Sequence, residues 1–123
     1  MSGLLSKDVE YRFGDLSMNG YFSVATQGQS IRPGVLVVHD AFGLDSHCIG
    51  VADRLATNGF AALALDLWGN RRQFSRSDDA MSTITELVNN RAMWMGRVEA
   101  ARRSLAVQPG VDGARIAAIV STV

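Results

Sequence analysis

Gly34-Val35-Leu36-Val37-Val38-His39-Asp40-Ala41-Phe42-Gly43-Leu44 is the stretch whose reading decides the fold. Val35 to Val38 are four consecutive apolar residues, three of them β-branched, and they suit a strand covered on both faces, as strands of parallel sheets are. Ligands of such sheets bind at the carboxyl ends of the strands. His39 and Asp40 fall at that end, and Gly43 lets the chain turn sharply, so chemistry here converges on the Asp40-Ala41-Phe42 backbone.

Composition bounds the rest. A chain of 123 residues with 47% hydrophobic residues holds one domain with a real core and is too short for two. Lysine plus arginine equals aspartate plus glutamate at 12 each, so no net field steers nucleic acid or an anionic membrane, and partners should be small or neutral. The single cysteine, Cys48, excludes an internal disulfide framework and, with no apolar run after Met1, points to a reducing cytoplasm. The longest apolar run, near Phe60 to Leu65, is far shorter than the roughly 20 residues a bilayer span requires.

Outward from the opening stretch, Asp8 to Phe13 alternates, residues 14–20 are turn-rich, and Tyr21 to Ala25 returns, which predicts an antiparallel hairpin. Pro33 sits just outside the strand that follows. Ile49, Ala52, Leu55 and Ala56 recur at helical spacing from about His47 to Asn58, with Gly59 as a left-handed cap. Phe60 to Asp66 is a second buried run, and strand, helix, strand implies a right-handed parallel crossover. After a polar, basic loop over 70–77, a helix starts at Ser77-Asp78-Asp79. Its stripe of Met81, Ile84, Leu87, Val88, Arg91, Trp94, Met95, Val98, Ala101 and Leu105 is open to a break near Asn89-Asn90 into two helices. Gln108-Pro109-Gly110 ends it, Val111 to Ala114 reads as a turn, and Arg115 to Ser121 is a third apolar strand. The fold class is α/β, a hairpin followed by a mostly parallel βαβαβ sheet. If the strand at 61–66 lies on one side of the strand at 35–39 and the strand at 115–121 on the other, the switch point falls beside Asp40 and the Ser121-Thr122 end.

Arg32-Pro33-Gly34 followed by Val35 to Leu44 resembles the dienelactone hydrolase family of α/β-hydrolases, which typically shows a strand ending in His-Glu and a Phe-Gly-Leu type loop. Val51 to Ala56, Gly59 to Gly69, and Val111-Asp112 with Arg115 to Ile119 are similar to the family's consecutive signatures, so the resemblance covers nearly the whole chain. It implies ester or lactone hydrolysis through a Cys-His-Asp triad, with a small-molecule ester or lactone as substrate and no metal or organic cofactor. It also implies a nucleophile elbow, Gly-x-Cys-x-Gly-Gly, where this chain has Val120-Ser121-Thr122-Val123. Thr122 occupies the cysteine's position, and the acid and histidine would follow later still. The expectation is a single truncated domain over 1–123, the N-terminal half of an α/β-hydrolase fold, inactive alone for want of its triad.

Asp40 matches the family's glutamate position but is one methylene shorter; from the residues alone it is a carboxylate that caps its own loop. By the resemblance, the Ala41 N–H is one oxyanion donor, and the second falls at Val123. His39 beside Asp40 suggests a metal-binding pair, yet adjacent strand residues point to opposite faces, and a structural histidine is the better reading. His47-Cys48 hints at an activated thiol, against a small buried hydrophobe. Arg71, Arg72 and Arg76 could reach a substrate carboxylate, against solvated surface. Ser121 and Thr122 lack a visible base. Met93, Trp94 and Met95 read as packing.

Two classes of function stand: a dienelactone hydrolase-like esterase, or a non-catalytic fragment or interaction module that self-associates through an exposed edge strand.

Overall fold

A computed structural model of the chain describes residues 3–121. Five strands form one sheet in the order β1-β2-β4-β3-β5. β1 (Leu4–Phe13) and β2 (Leu16–Ala25) make the expected antiparallel hairpin, in unbroken register from Leu4 opposite Ala25 to Phe13 opposite Leu16. The turn is shorter than the 14–20 segment expected. Only Gly14 and Asp15 remain unpaired, and Gly14 at φ 60° supplies the left-handed first position of a two-residue hairpin turn. Gly20, which reads as a turn residue, lies within β2, where a Cβ would stand 2.9 Å from the Ala64 carbonyl oxygen. Glycine there lets β2 lie against its neighbour.

β3 (Arg32–Val38) pairs in parallel with β4 (Ala61–Ala64) on one side and with β5 (Val111–Val120) on the other. The switch point therefore falls at the carboxyl end of β3, as the sequence pattern anticipated. Pro33 is corrected from loop to strand: it is the second residue of β3, opposite Asp112. The register then shifts, with Gly34 facing Ile116, so the proline sits at a bulge, one of the few places a strand tolerates it. The turn expected at Val111 to Ala114 is correspondingly smaller. Val111 and Asp112 pair with β3, and the excursion begins at Gly113, held by the Ala114 N–H donating to Asp112 Oδ1 at 3.0 Å.

The sheet's two faces are packed differently. On one face lies α1 (Ser46–Thr57), whose N-cap Asp45 accepts from the Cys48 N–H and whose end is marked by Gly59 at φ 98°. Beneath it Val37, Ala62 and Ala64 meet Leu44, Cys48 and Ala52, and the small alanines of β4 allow the helix close approach. Asp53 of α1 accepts from both Tyr21 Oη (2.9 Å) and Ser23 Oγ (2.8 Å), tying the helix to β2. On the other face, Phe22, Val24, Leu36, Leu63 and Leu65 pack against Leu87, Ala101 and Leu105 of two helices.

Those helices are α2 (Ser77–Val88) and α3 (Arg91–Ala106), separated at Asn89-Asn90, with Asn90 capping α3 through the Met93 N–H. The continuous stripe is corrected at five positions: Met81, Val88, Arg91, Trp94 and Met95 are exposed. Val88, Arg91, Trp94 and Met95 flank the break between the helices, and Met81 lies on α2, whose chief packing partner is α3 rather than the sheet. Among the described residues β5 pairs only with β3, and its residues Ala117 to Val120 are exposed. Among the described residues no helix is long and apolar enough to cross a membrane.

Leu63 is wholly buried at the centre of the larger cluster. Leu63→Ala should lower unfolding stability by about 2–5 kcal/mol, read as a fall in urea midpoint at an unchanged slope.

Candidate functional site

Two loops meet at the switch point: residues 39–44 after β3 and residues 65–75 after β4. The second is organised by Asp66, which is entirely buried. Its carboxylate accepts three backbone N–H groups, from Asn19 (3.0 Å), Gly69 (3.1 Å) and Arg71 (2.8 Å), and its own N–H donates to Tyr11 Oη. A buried charge is tolerable only when met this fully. The turn it holds is tight enough to put Asn70 and Arg71 at φ 52° and 53°, left-handed values that non-glycine residues seldom adopt.

His39 joins the two loops. Its Nε2 accepts from the Leu67 N–H at 2.9 Å, and its Nδ1 lies 2.7 Å from the Asp40 carbonyl oxygen. The ring, 4% exposed, stands 5.2 Å from the Trp68 ring. Burial pushes its pKa below the ordinary histidine value, against the opposing pull of the Asp40 carbonyl and of the Asp66, Asp40 and Asp45 charges. With both nitrogens engaged inside the protein, His39 is a structural histidine rather than half of a metal pair.

Asp40 does cap its loop: Oδ1 accepts from the Phe42 N–H at 2.9 Å. The Ala41 carbonyl accepts from Trp68 Nε1 (3.0 Å), the Phe42 carbonyl from the Phe74 N–H (2.9 Å), and the Asp40 carbonyl also from the Gly43 N–H (3.3 Å). Gly43 sits at φ 108° with the Arg72 carbonyl where a Cβ would go, so only glycine fits. In this pinned loop the N–H of half-buried Ala41 donates to no group among the described residues. Ala41 is among the residues lining a recess of about 240 Å³ whose walls include Trp68, Leu87, Val88 and Trp94. A larger cavity of about 530 Å³, between Phe13 of β1 and α3, is lined by no residue of either loop.

The other candidates are not assembled into a site. Cys48 is 2% exposed, its thiol pKa raised by burial, and His47 forms no hydrogen bond to it. Ser121 is also buried, its Oγ beside that thiol with no base as a partner among the described residues. Arg71 is committed to the hairpin, through Asp8 Oδ1 (2.8 Å) and the Asn19 and Gly20 carbonyls. Arg72 donates to the Trp68 carbonyl, and exposed Arg76 pairs with Asp78 at 3.8 Å. None of the three reaches toward the Ala41 recess as a free cation. Thr122 and Val123, the expected nucleophile position and second oxyanion donor, lie outside the described residues. The sequence reading missed Tyr11, Trp68, Arg97, which donates to the Leu67 carbonyl at 2.7 Å, and the role of Asp66. An acid closing an apolar strand three residues before a glycine was the available signal for Asp66.

The mixed sheet in the order β1-β2-β4-β3-β5, with helices on both faces and this loop at the carboxyl end of β3, is the α/β-hydrolase fold of the solved structures it superposes on. Residues 18–119 match the dienelactone hydrolase family, and the chain belongs to it. A dienelactone hydrolase-like promiscuous phosphotriesterase from metagenomic libraries superposes at a TM-score of 0.90 and 39% identity, over 95% of this chain and 48% of its own. A protein named m3DLH does so at 0.92 and 35% identity, over 95% of this chain and 49% of its own. A protein from Klebsiella pneumoniae subsp. pneumoniae MGH 78578, at 0.78 and 20% identity over 96% of this chain and 50% of its own, shares the fold. The chain thus spans about half the length of these three solved structures. A search of curated proteins finds no match.

Two measurements test this geometry. Asp66→Ala strands three backbone donors and should cost at least about 3 kcal/mol in urea unfolding, with loss of the ordered 66–71 turn. His39 resists protonation when folded, so its contribution is complete above the unfolded histidine value of about 6.5. Stability should fall as pH drops from there toward the depressed folded pKa, and this component should be missing from the pH profile of His39→Asn.

Proposed function

We propose that this chain carries the oxyanion-loop half of an ester- or lactone-hydrolysing site, with the Ala41 N–H as one donor to the developing oxyanion. The observation that supports the reading is the Ala41 N–H, which donates to no group among the described residues although the Asp40, Ala41 and Phe42 carbonyls and the Phe42 and Gly43 N–H groups around it are engaged. Asp40 stands at the family's glutamate position, and its second carboxylate oxygen accepts no hydrogen bond among the described residues, so it remains available to a group arriving from the end of β5. No metal-binding cluster of histidine, cysteine or carboxylate occurs among the described residues, and the reaction we propose needs none. The substrate class is an uncharged carboxylic ester or lactone. An aryl phosphotriester is the second class to assay, because one solved relative is described as a promiscuous phosphotriesterase and a phosphoryl oxygen can accept the same N–H.

Hydrolysis also needs a nucleophile and a base. No serine, threonine or cysteine side chain is hydrogen-bonded to a histidine among the described residues. We therefore expect the 123-residue chain to show no turnover of an aryl ester above buffer, unchanged by iodoacetamide. Thiol-sensitive turnover that disappears in Cys48→Ala would overturn that expectation.

A second reading is favoured by one feature: β5 is an edge strand carrying exposed Ile119 and Val120. Such an edge is a template for pairing with a second copy. On this reading the chain elutes as a dimer or larger species in size-exclusion chromatography, and Ile119→Lys shifts it toward monomer. A sharp monomer with a cooperative melt contradicts it.

A further inference from the structure

We propose that His39 is a positioning residue for the Ala41 amide: its Nδ1–H holds the carbonyl of the peptide group whose N–H is the oxyanion donor. The inference rests on the reading of Ala41 given above for its catalytic meaning, but not for its geometry.

The tautomer follows from the partners. Leu67 N–H can only donate, and it donates to Nε2 at 2.9 Å, so Nε2 carries no proton. A neutral imidazole must then be protonated at Nδ1, which lies 2.7 Å from the Asp40 oxygen and donates to it. Burial, which lowers the ring's pKa, favours that neutral form.

The Asp40 carbonyl and the Ala41 N–H belong to one planar trans peptide group, in which C=O and N–H point in opposite directions. Fixing the oxygen on His39 therefore aims the hydrogen the other way. A second effect adds to the first, because a hydrogen bond accepted at a peptide oxygen polarises the group and strengthens its N–H as a donor. The Gly43 N–H also reaches the Asp40 oxygen, but at 3.3 Å it is the weaker hold. The next peptide plane is fixed at both ends, by Trp68 Nε1 and Asp40 Oδ1, so rotation of the Ala41 amide is opposed chiefly by His39.

The two bonds of His39 can be separated by substitution. Asparagine places an amide N–H near the Nδ1 position and can keep the bond to the Asp40 carbonyl while giving up the one to Leu67. Glutamine reaches the Nε2 position with its amide oxygen and can keep the Leu67 N–H while giving up the Asp40 carbonyl. In the wild-type chain, nitrogen NMR should show a neutral ring protonated at Nδ1, with a through-hydrogen-bond coupling from Nδ1 to the Asp40 carbonyl carbon. In His39→Gln the Asp40 carbonyl carbon should move upfield, and the Ala41 amide order parameter should fall from the rigid range near 0.85 to below about 0.6. In His39→Asn both should stay near wild type.

A wild-type ring protonated at Nε2 overturns the proposal without any variant, so failure of a variant to fold leaves it decidable. An Ala41 amide equally rigid in wild type and His39→Gln overturns it too, since Gly43 would then suffice. Ester hydrolysis is scored separately, in any longer chain with this sequence that turns over an aryl ester. There His39→Gln should lower kcat at least tenfold with KM little changed, and His39→Asn should restore it. Absence of such activity removes the catalytic reading of Ala41 and leaves the NMR result standing.

Discussion

A carboxylate with no access to water must be met by donors from the chain itself, and Asp66 is met by three backbone N–H groups from two segments far apart in sequence. That requirement sets the path of the loop after β4. It draws Asn19 of the hairpin and the 69–71 turn toward one point, and it leaves the Leu67 N–H free to reach His39. The loop after β3 then takes its shape from the loop after β4, through His39 and through Trp68 Nε1 on the Ala41 carbonyl. The order of dependence runs from a buried charge to a turn, and from the turn to a donor group. Arg97 closes the arrangement from α3 by holding the Leu67 carbonyl, at the cost of a guanidinium Nε buried without a partner among the described residues.

Much of the architecture was legible in the sequence because parallel-sheet burial writes itself as runs. Val35 to Val38 and Ala61 to Leu65 had to be covered on both faces, and all are buried except Val38, which is half-buried at the recess. The helix between them was equally plain from Ile49, Ala52 and Ala56 with Gly59 behind them. Less legible were features decided by tertiary pairing. Gly20 and Asn19 look like turn residues, yet pairing with β1 draws them into a strand. Trp94 and Met95 fit a helical stripe by period, but period cannot say where the sheet beneath a helix ends.

The site divides in the same way. The position of the Asp40-Ala41 loop followed from the strand and its glycine, whereas the network around it did not. Hydrogen bonds such as Tyr11 Oη to the Asp66 N–H join residues 55 apart in the chain, and no local pattern announces them. The basic residues show the opposite error. Arg71 looked available to a substrate, and it is spent on Asp8, Asn19 and Gly20 because the left-handed turn at residues 70 and 71 sends it toward the hairpin.

The chain has only two tryptophans, and they occupy opposite situations: Trp68 is 3% exposed against His39 and the Ala41 carbonyl, while Trp94 is 40% exposed on α3. One indole is thus wired into the donor loop and the other looks out at solvent. Their emission should separate under a polar quencher such as acrylamide, which reaches Trp94 and is shielded from Trp68. The protected fraction is then an optical gauge of the loop's integrity, built into the protein without a label.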